Sequence, residues 1–116
     1  MSDELTDLRN ALREFAAERD WDQFHSPRNL ATALAVEAAE LLEPFQWITD
    51  EQGRQLPAAT RAAVEEEMAD VLLYLVRLAD RLDVDLAAAA RAKIARNAAK
   101  YPIDKAKGSA RKYTEL

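Results

Sequence analysis

Apolar residues recur at every third or fourth position along most of the chain, and the rhythm breaks at prolines, glycines and acidic residues. That is the pattern of amphipathic helices. From about Asp3 to Arg19, Leu5, Leu8, Leu12, Phe15 and Ala16 repeat at helical spacing; Ser2 can cap this helix, and Asp3 and Glu4 suit its positive end. Ser26-Pro27 reads as cap and first residue of a second helix, about Pro27 to Glu43, which stops ahead of Pro44 because proline disfavours helical geometry in the residue before it. Its stripe is Leu30, Leu34, Ala38 and Leu41. A third helix begins near Pro57 and runs to about Leu82 on Val64, Met68, Val71, Leu75, Leu78 and Leu82, while Leu72, Leu73 and Val76 extend apolar character around it. A helix apolar on more than one side needs more partners than so short a chain offers, which predicts a homo-oligomer. Asp83 or Asp85 can cap a fourth helix through about Lys100, ended by Tyr101-Pro102. Pro44 to Leu56 reads as a loop tethered by Phe45 and Trp47. Residues from about 102 to 116 read as an irregular basic tail in which Gly108-Ser109 breaks any helix.

Composition narrows this to one all-α domain over residues 1–116, a four-helix bundle. The chain has 116 residues, 49% hydrophobic and 32% charged, with 2 Gly, which disfavours a many-turned β protein. It has no cysteine and a single histidine, His25, which excludes thiolate and multi-histidine metal sites. A net charge of -5 argues against binding nucleic acid polymers, whose phosphates attract clustered lysine and arginine. The N-terminus lacks a basic region followed by an apolar one, and no apolar run reaches the roughly 20 residues that span a bilayer. A cytoplasmic protein with no membrane partner is the expectation.

Two acidic pairs change the picture. Glu37-Ala-Ala-Glu40 and Glu67-Met-Ala-Asp70 each lie at the edge of an apolar stripe on a different long helix. Residues three apart share a helix face, so each pair aims two carboxylates one way, and antiparallel packing would bring four together. Four such anions at one buried spot repel strongly unless a hard divalent cation joins them. All-oxygen ligation favours Mg²⁺ or Mn²⁺ over zinc, and magnesium commonly shares its coordination with phosphates.

Other residues suggest what surrounds such a cation. Trp21, Phe24 and Trp47 sit in the connectors at both ends of the second helix, where they serve either as core anchors or as faces on which a planar base stacks. His25 reads equally as structural or as a ligand contact. On the fourth helix Lys93, Asn97 and Lys100 replace apolar residues along one side, which suits phosphate binding or a polar face paired with acidic neighbours.

Glu37-x-x-Glu40, then residues 41–66, then Glu67-x-x-Asp70 resembles the signature of the all-α nucleoside triphosphate pyrophosphohydrolases of the MazG-like superfamily. Phe15-Ala-Ala-Glu-Arg-Asp-Trp21, Phe24-His25, Pro27-Arg28-Asn29-Leu30, Phe45-Gln46-Trp47, Asp70-Val-Leu-Leu-Tyr-Leu-Val76 and Lys112-Tyr113-Thr114 are similar to the dCTP pyrophosphatase branch. The resemblance implies a helical bundle assembled as a homodimer or homotetramer, with Mg²⁺-dependent cleavage of a deoxynucleoside triphosphate to monophosphate and pyrophosphate. It implies that Glu37, Glu40, Glu67 and Asp70 hold the metal. It further implies that Trp21, Trp47, Tyr74 and Asn97 contact the nucleoside with His25 close by, and that Lys93 and Tyr101 face the phosphates. Arg28, Asn29, Lys100, Arg111 and Lys112 carry over less directly. One carboxylate, Glu40 among them, can act as general base. The alternatives are a pyrophosphohydrolase for another nucleotide such as dUTP, a non-catalytic oligomerisation module, and a di-iron bundle, which would use Glu-x-x-His pairs absent here.

Overall fold

The computed structural model describes residues 3–116, and among them every regular element is helical. The all-α expectation holds. The chain divides into two compact units, one ending at Val84 and one spanning Asp85–Leu116. The first holds α1 (Glu4–Glu18), α2 (Pro27–Leu42), α3 (Asp50–Arg54) and α4 (Ala58–Arg81). Ser2, the expected first cap, lies outside the described residues; Asp3 caps α1 by accepting from the Thr6 amide at 2.7 Å. Ser26 caps α2 as expected, accepting from the Asn29 amide at 3.1 Å.

α2 packs along α4, and α1 lies against α4. His25, ahead of α2, meets Arg77 late in α4, whereas Glu37 converges with Glu67 and Asp70 earlier in α4, so the two helices run antiparallel. Ala16, Leu30, Val64, Val76 and Ala79 form the buried apolar core, Leu30 being the largest side chain fully enclosed. Burial of a leucine contributes about 1.5–3 kcal/mol.

α1 and α4 end alike. Asp20 and Asp83 take positive φ angles of 55° and 56°. The amide one residue later returns to the last turn, Trp21 N to Ala16 O at 2.9 Å and Val84 N to Ala79 O at 2.8 Å. This is a Schellman closure with aspartate in the place glycine usually takes. At α1 it folds Trp21 back onto the helix, edge to face with Phe15 at 5.6 Å between centroids.

Several expectations are corrected. Pro44 to Leu56 is not a plain loop: a 3₁₀ turn spans Glu43–Phe45, and α3 is closed by a capping box in which Thr49 and Gln52 exchange hydrogen bonds. That box satisfies two amide donors at once and so makes even a five-residue helix worthwhile. Ala38 on α2, and Met68 and Leu82 on α4, are exposed rather than part of the inner stripe. The inner face of each helix is rotated toward its carboxylates, so Glu37, Glu40, Glu67 and Asp70 are partly buried where Ala38 and Met68 are not.

In the second unit, α5 (Leu86–Lys100) is capped by Asp85, whose carboxylate accepts from the Ala88 amide at 3.0 Å, and it ends at Tyr101-Pro102. The stretch after it is not irregular throughout. α6 (Ile103–Ala106) and a 3₁₀ turn at Tyr113–Glu115 form within it, and the Tyr113 ring meets Tyr101 edge-on at 6.0 Å.

Candidate functional site

The site grows from helix periodicity. Glu37 on α2 and Glu67 and Asp70 on α4 bring carboxylate oxygens within 4.8 Å of one another, each side chain partly buried. Glu37 Oε2 and Glu67 Oε2 are buried with no hydrogen-bond partner. Such atoms cost free energy unless something electropositive reaches them. Close contact with Glu67, which only a shared proton can turn into a hydrogen bond, raises the Glu37 pKa most, with burial second. The Glu40 pKa is raised chiefly by its contact with Glu37. Opposed carboxylates, orphaned oxygens and a hard all-oxygen donor set fit a divalent cation. Glu40 lies beside this group without belonging to the mutually close set of three.

Adjacent to the carboxylates is a largely apolar cavity of about 390 Å³, lined by Leu8, Leu12, Phe15, Trp21, His25, Leu30, Asp70, Leu73, Tyr74 and Arg77. Its size falls in the usual range for small-molecule sites. Asp70 belongs both to the cavity wall and to the carboxylate group. Trp21 and His25 reach the cavity through the connector between α1 and α2, where a 3₁₀ turn at Asp22–Phe24 places the two rings edge-on at 6.2 Å.

That connector is fastened to α4 by ion pairs. Arg77, buried to 4% exposure, donates from Nη2 to Asp22 Oδ1 at 2.5 Å, from Nε to His25 Nδ1 at 3.1 Å, and from Nη1 to Asp80 Oδ2 at 3.5 Å. Arg81 Nε donates to the His25 carbonyl at 3.1 Å. Arg13 on α1 grips Asp80 with two bonds at 2.5 and 2.8 Å. Burial, then the Arg77 charge, hold the His25 pKa below 6.5, whereas the hydrogen bond from Arg13 holds Asp80 below the usual carboxylate range.

The expected site residues thus fall into groups. Glu37, Glu67 and Asp70 converge, with Glu40 alongside. Trp21, His25 and Tyr74 share the cavity with Asp70. Trp47 does not line it; the ring stands 87% exposed after the 3₁₀ turn. Lys93, Asn97 and Tyr101 lie in the second unit, all exposed. Sequence reasoning passed over Asp22, Arg77 and Asp80. Their one visible signal is Arg77 itself, a lone charge inside the otherwise apolar run Val71–Ala79.

Residues 32–116 match a family model described as the MazG-like family. The chain is 54% identical over 114 residues to dCTP pyrophosphatase 1 of Mus musculus and to that of Homo sapiens, covering 97% of this chain and 67% of each relative. This chain belongs to the MazG-like family. Within that family it falls in the dCTP pyrophosphatase branch. A crystal structure of a pyrophosphatase from Archaeoglobus fulgidus DSM 4304 has a similar fold, with a TM-score of 0.81 and 38% identity over 88% of this chain and 95% of that one. The MazG-like all-α architecture therefore holds for this sequence, and both carboxylate pairs lie inside the matched residues.

Proposed function

We propose that this MazG-like protein is an Mg²⁺-dependent pyrophosphohydrolase that converts dCTP, or a 5-modified dCTP, to dCMP and pyrophosphate in the cytoplasm, clearing the nucleotide pool. The observation that carries this reading is the adjacency of the carboxylate group to a base-sized apolar cavity, with Asp70 common to both. The names of the 54%-identical relatives support the choice of dCTP.

Glu37, Glu67 and Asp70 would hold the metal, whose charge would offset that developing on the phosphates. Glu40 sits beside them, in contact with Glu37, and would take a proton from the attacking water. Trp21 and Tyr74 receive the base in the cavity, and His25 borders it. Trp47, Lys93, Asn97 and Tyr101 enter the substrate set through the resemblance alone. The carboxylate-bearing helices leave Val36, Leu42, Met68 and Leu72 exposed, which supports assembly as a homodimer or homotetramer. Among the described residues no helix is long and apolar enough to cross a membrane.

The deciding experiment measures pyrophosphate release from the canonical and 5-modified nucleoside triphosphates with Mg²⁺, beside calorimetry of nucleotide binding with and without the metal. Preference for dCTP or a 5-modified form is expected. Preference for dUTP would replace the substrate, and no release together with Mg²⁺-independent binding would favour a non-catalytic module.

A further inference from the structure

We propose that Arg77 is a positioning residue: it holds the His25 ring as the neutral, Nε2-protonated tautomer, so that the ring offers the nucleotide base a hydrogen-bond donor and carries no positive charge of its own. This rests on reading the cavity as the base pocket. Arg77 Nε carries a proton at every accessible pH and donates it to His25 Nδ1 at 3.1 Å. Nδ1 must therefore be the acceptor, and the proton of a neutral imidazole must reside on Nε2. Protonating Nδ1 would set two donors against each other.

The surroundings hold this arrangement from three sides. Arg77 is itself fixed, its Nη2 on Asp22 and its Nη1 on Asp80, and it is almost wholly buried. Arg81 ties down the His25 carbonyl from the next turn of α4, fixing the backbone that carries the ring. The charged groups acting on the ring are Asp22 in the connector and Arg77 and Arg81 on α4, with Asp70 on α4 sharing the cavity. The two arginines outweigh Asp22, and burial acts with them, so all three influences keep the ring neutral near pH 7. A neutral ring with one fixed donor suits an acceptor on a pyrimidine edge. An imidazolium would instead attract the triphosphate, competing with the metal for the anionic end of the substrate.

His25 is the single histidine of the chain, so one imidazole gives the whole signal. In the nucleotide-free protein labelled with ¹⁵N-histidine, long-range ¹H–¹⁵N correlation at pH 7.5 is expected to show the neutral Nε2–H form. Arg77→Lys keeps a buried cation and lacks the planar fork that serves Nδ1 and Asp22 together. It is expected to give mixed tautomers, to shift the ring's titration upward, and to raise KM for dCTP about tenfold while kcat changes less than about threefold. Asp22→Asn, which loosens Arg77 without removing it, is expected to give mixed tautomers as well, while the ring's titration moves down because the Asp22 charge that raises it is lost; it serves where the lysine variant folds poorly. An Nδ1–H or doubly protonated ring in the unaltered protein would overturn the proposal. So would an Arg77→Lys or Asp22→Asn variant that folds and leaves both spectrum and KM unchanged. Absence of pyrophosphate release from any nucleotide would instead overturn the function, while the spectrum would still decide the tautomer.

Discussion

α4 carries two clusters of poorly exposed charge and resolves them oppositely. Near its middle, Glu67 and Asp70 face Glu37, and two buried oxygens have no partner. Two or more turns later, Arg77 and Asp80 are also poorly exposed, yet each is held by several partners drawn from α1, the connector and α4 itself. The first cluster is incomplete without something brought from outside; the second is complete as folded. Buried charge is thus no indicator of function by itself, and whether the protein already supplies the countercharge separates a binding site from a fastening.

If the contrast is right, neutralising a member of the first cluster should damage chemistry and spare the fold. Asp70→Asn and Glu37→Gln are expected to lower pyrophosphate release about a hundredfold or more. In EDTA, Glu37→Gln should unfold at an equal or higher temperature than the unaltered protein, because it removes a repelling anion. Retained activity, or a lower melting temperature in EDTA, would erase the distinction.

The second cluster should respond in the opposite sense. Arg13→Ala leaves the largely buried Asp80 carboxylate with the distant Arg77 contact alone and is expected to lower the denaturant midpoint at pH 7. Because the folded Asp80 pKa is depressed, that stabilisation is present above the unfolded value near 4 and is lost as pH falls through the folded one. The deficit of Arg13→Ala should therefore shrink below about pH 4. A deficit that is constant with pH would show that packing, not charge, is responsible.

The smallest effect marks the baseline. Arg61 and Glu65 on the exposed side of α4 pair at 3.3 Å with both side chains in solvent. Arg61→Ala should change stability by no more than about 0.5 kcal/mol. A larger loss would mean that burial is not what distinguishes the Arg13–Asp80 pair.

Much of this was legible along the chain. The helix boundaries follow from caps and prolines: Ser26-Pro27 starts α2 and Asp85 starts α5. The carboxylate pairs were legible because i, i+3 spacing fixes two side chains on one face whatever the tertiary structure does. α3 was missed although Thr49-x-x-Gln52 is a capping-box pattern, because so short a helix carries no apolar period. Met68 and Glu67 were harder still, since neighbours on a helix differ by about 100° and a modest rotation exchanges inside for outside.

What the sequence determined alone is local: helices, their caps, and two pairs of carboxylates each committed to one direction. Tertiary structure decided which charges meet. Arg77 finds His25 and Asp22 more than 50 residues back in the chain, and Asp80 finds Arg13 across 67. No periodicity encodes such pairs, because they depend on how α1, the connector and α2 lie against α4. The same packing left Glu37, Glu67 and Asp70 facing one another with no pairing cation among the described residues, so a motif that spacing could only suggest became a candidate site.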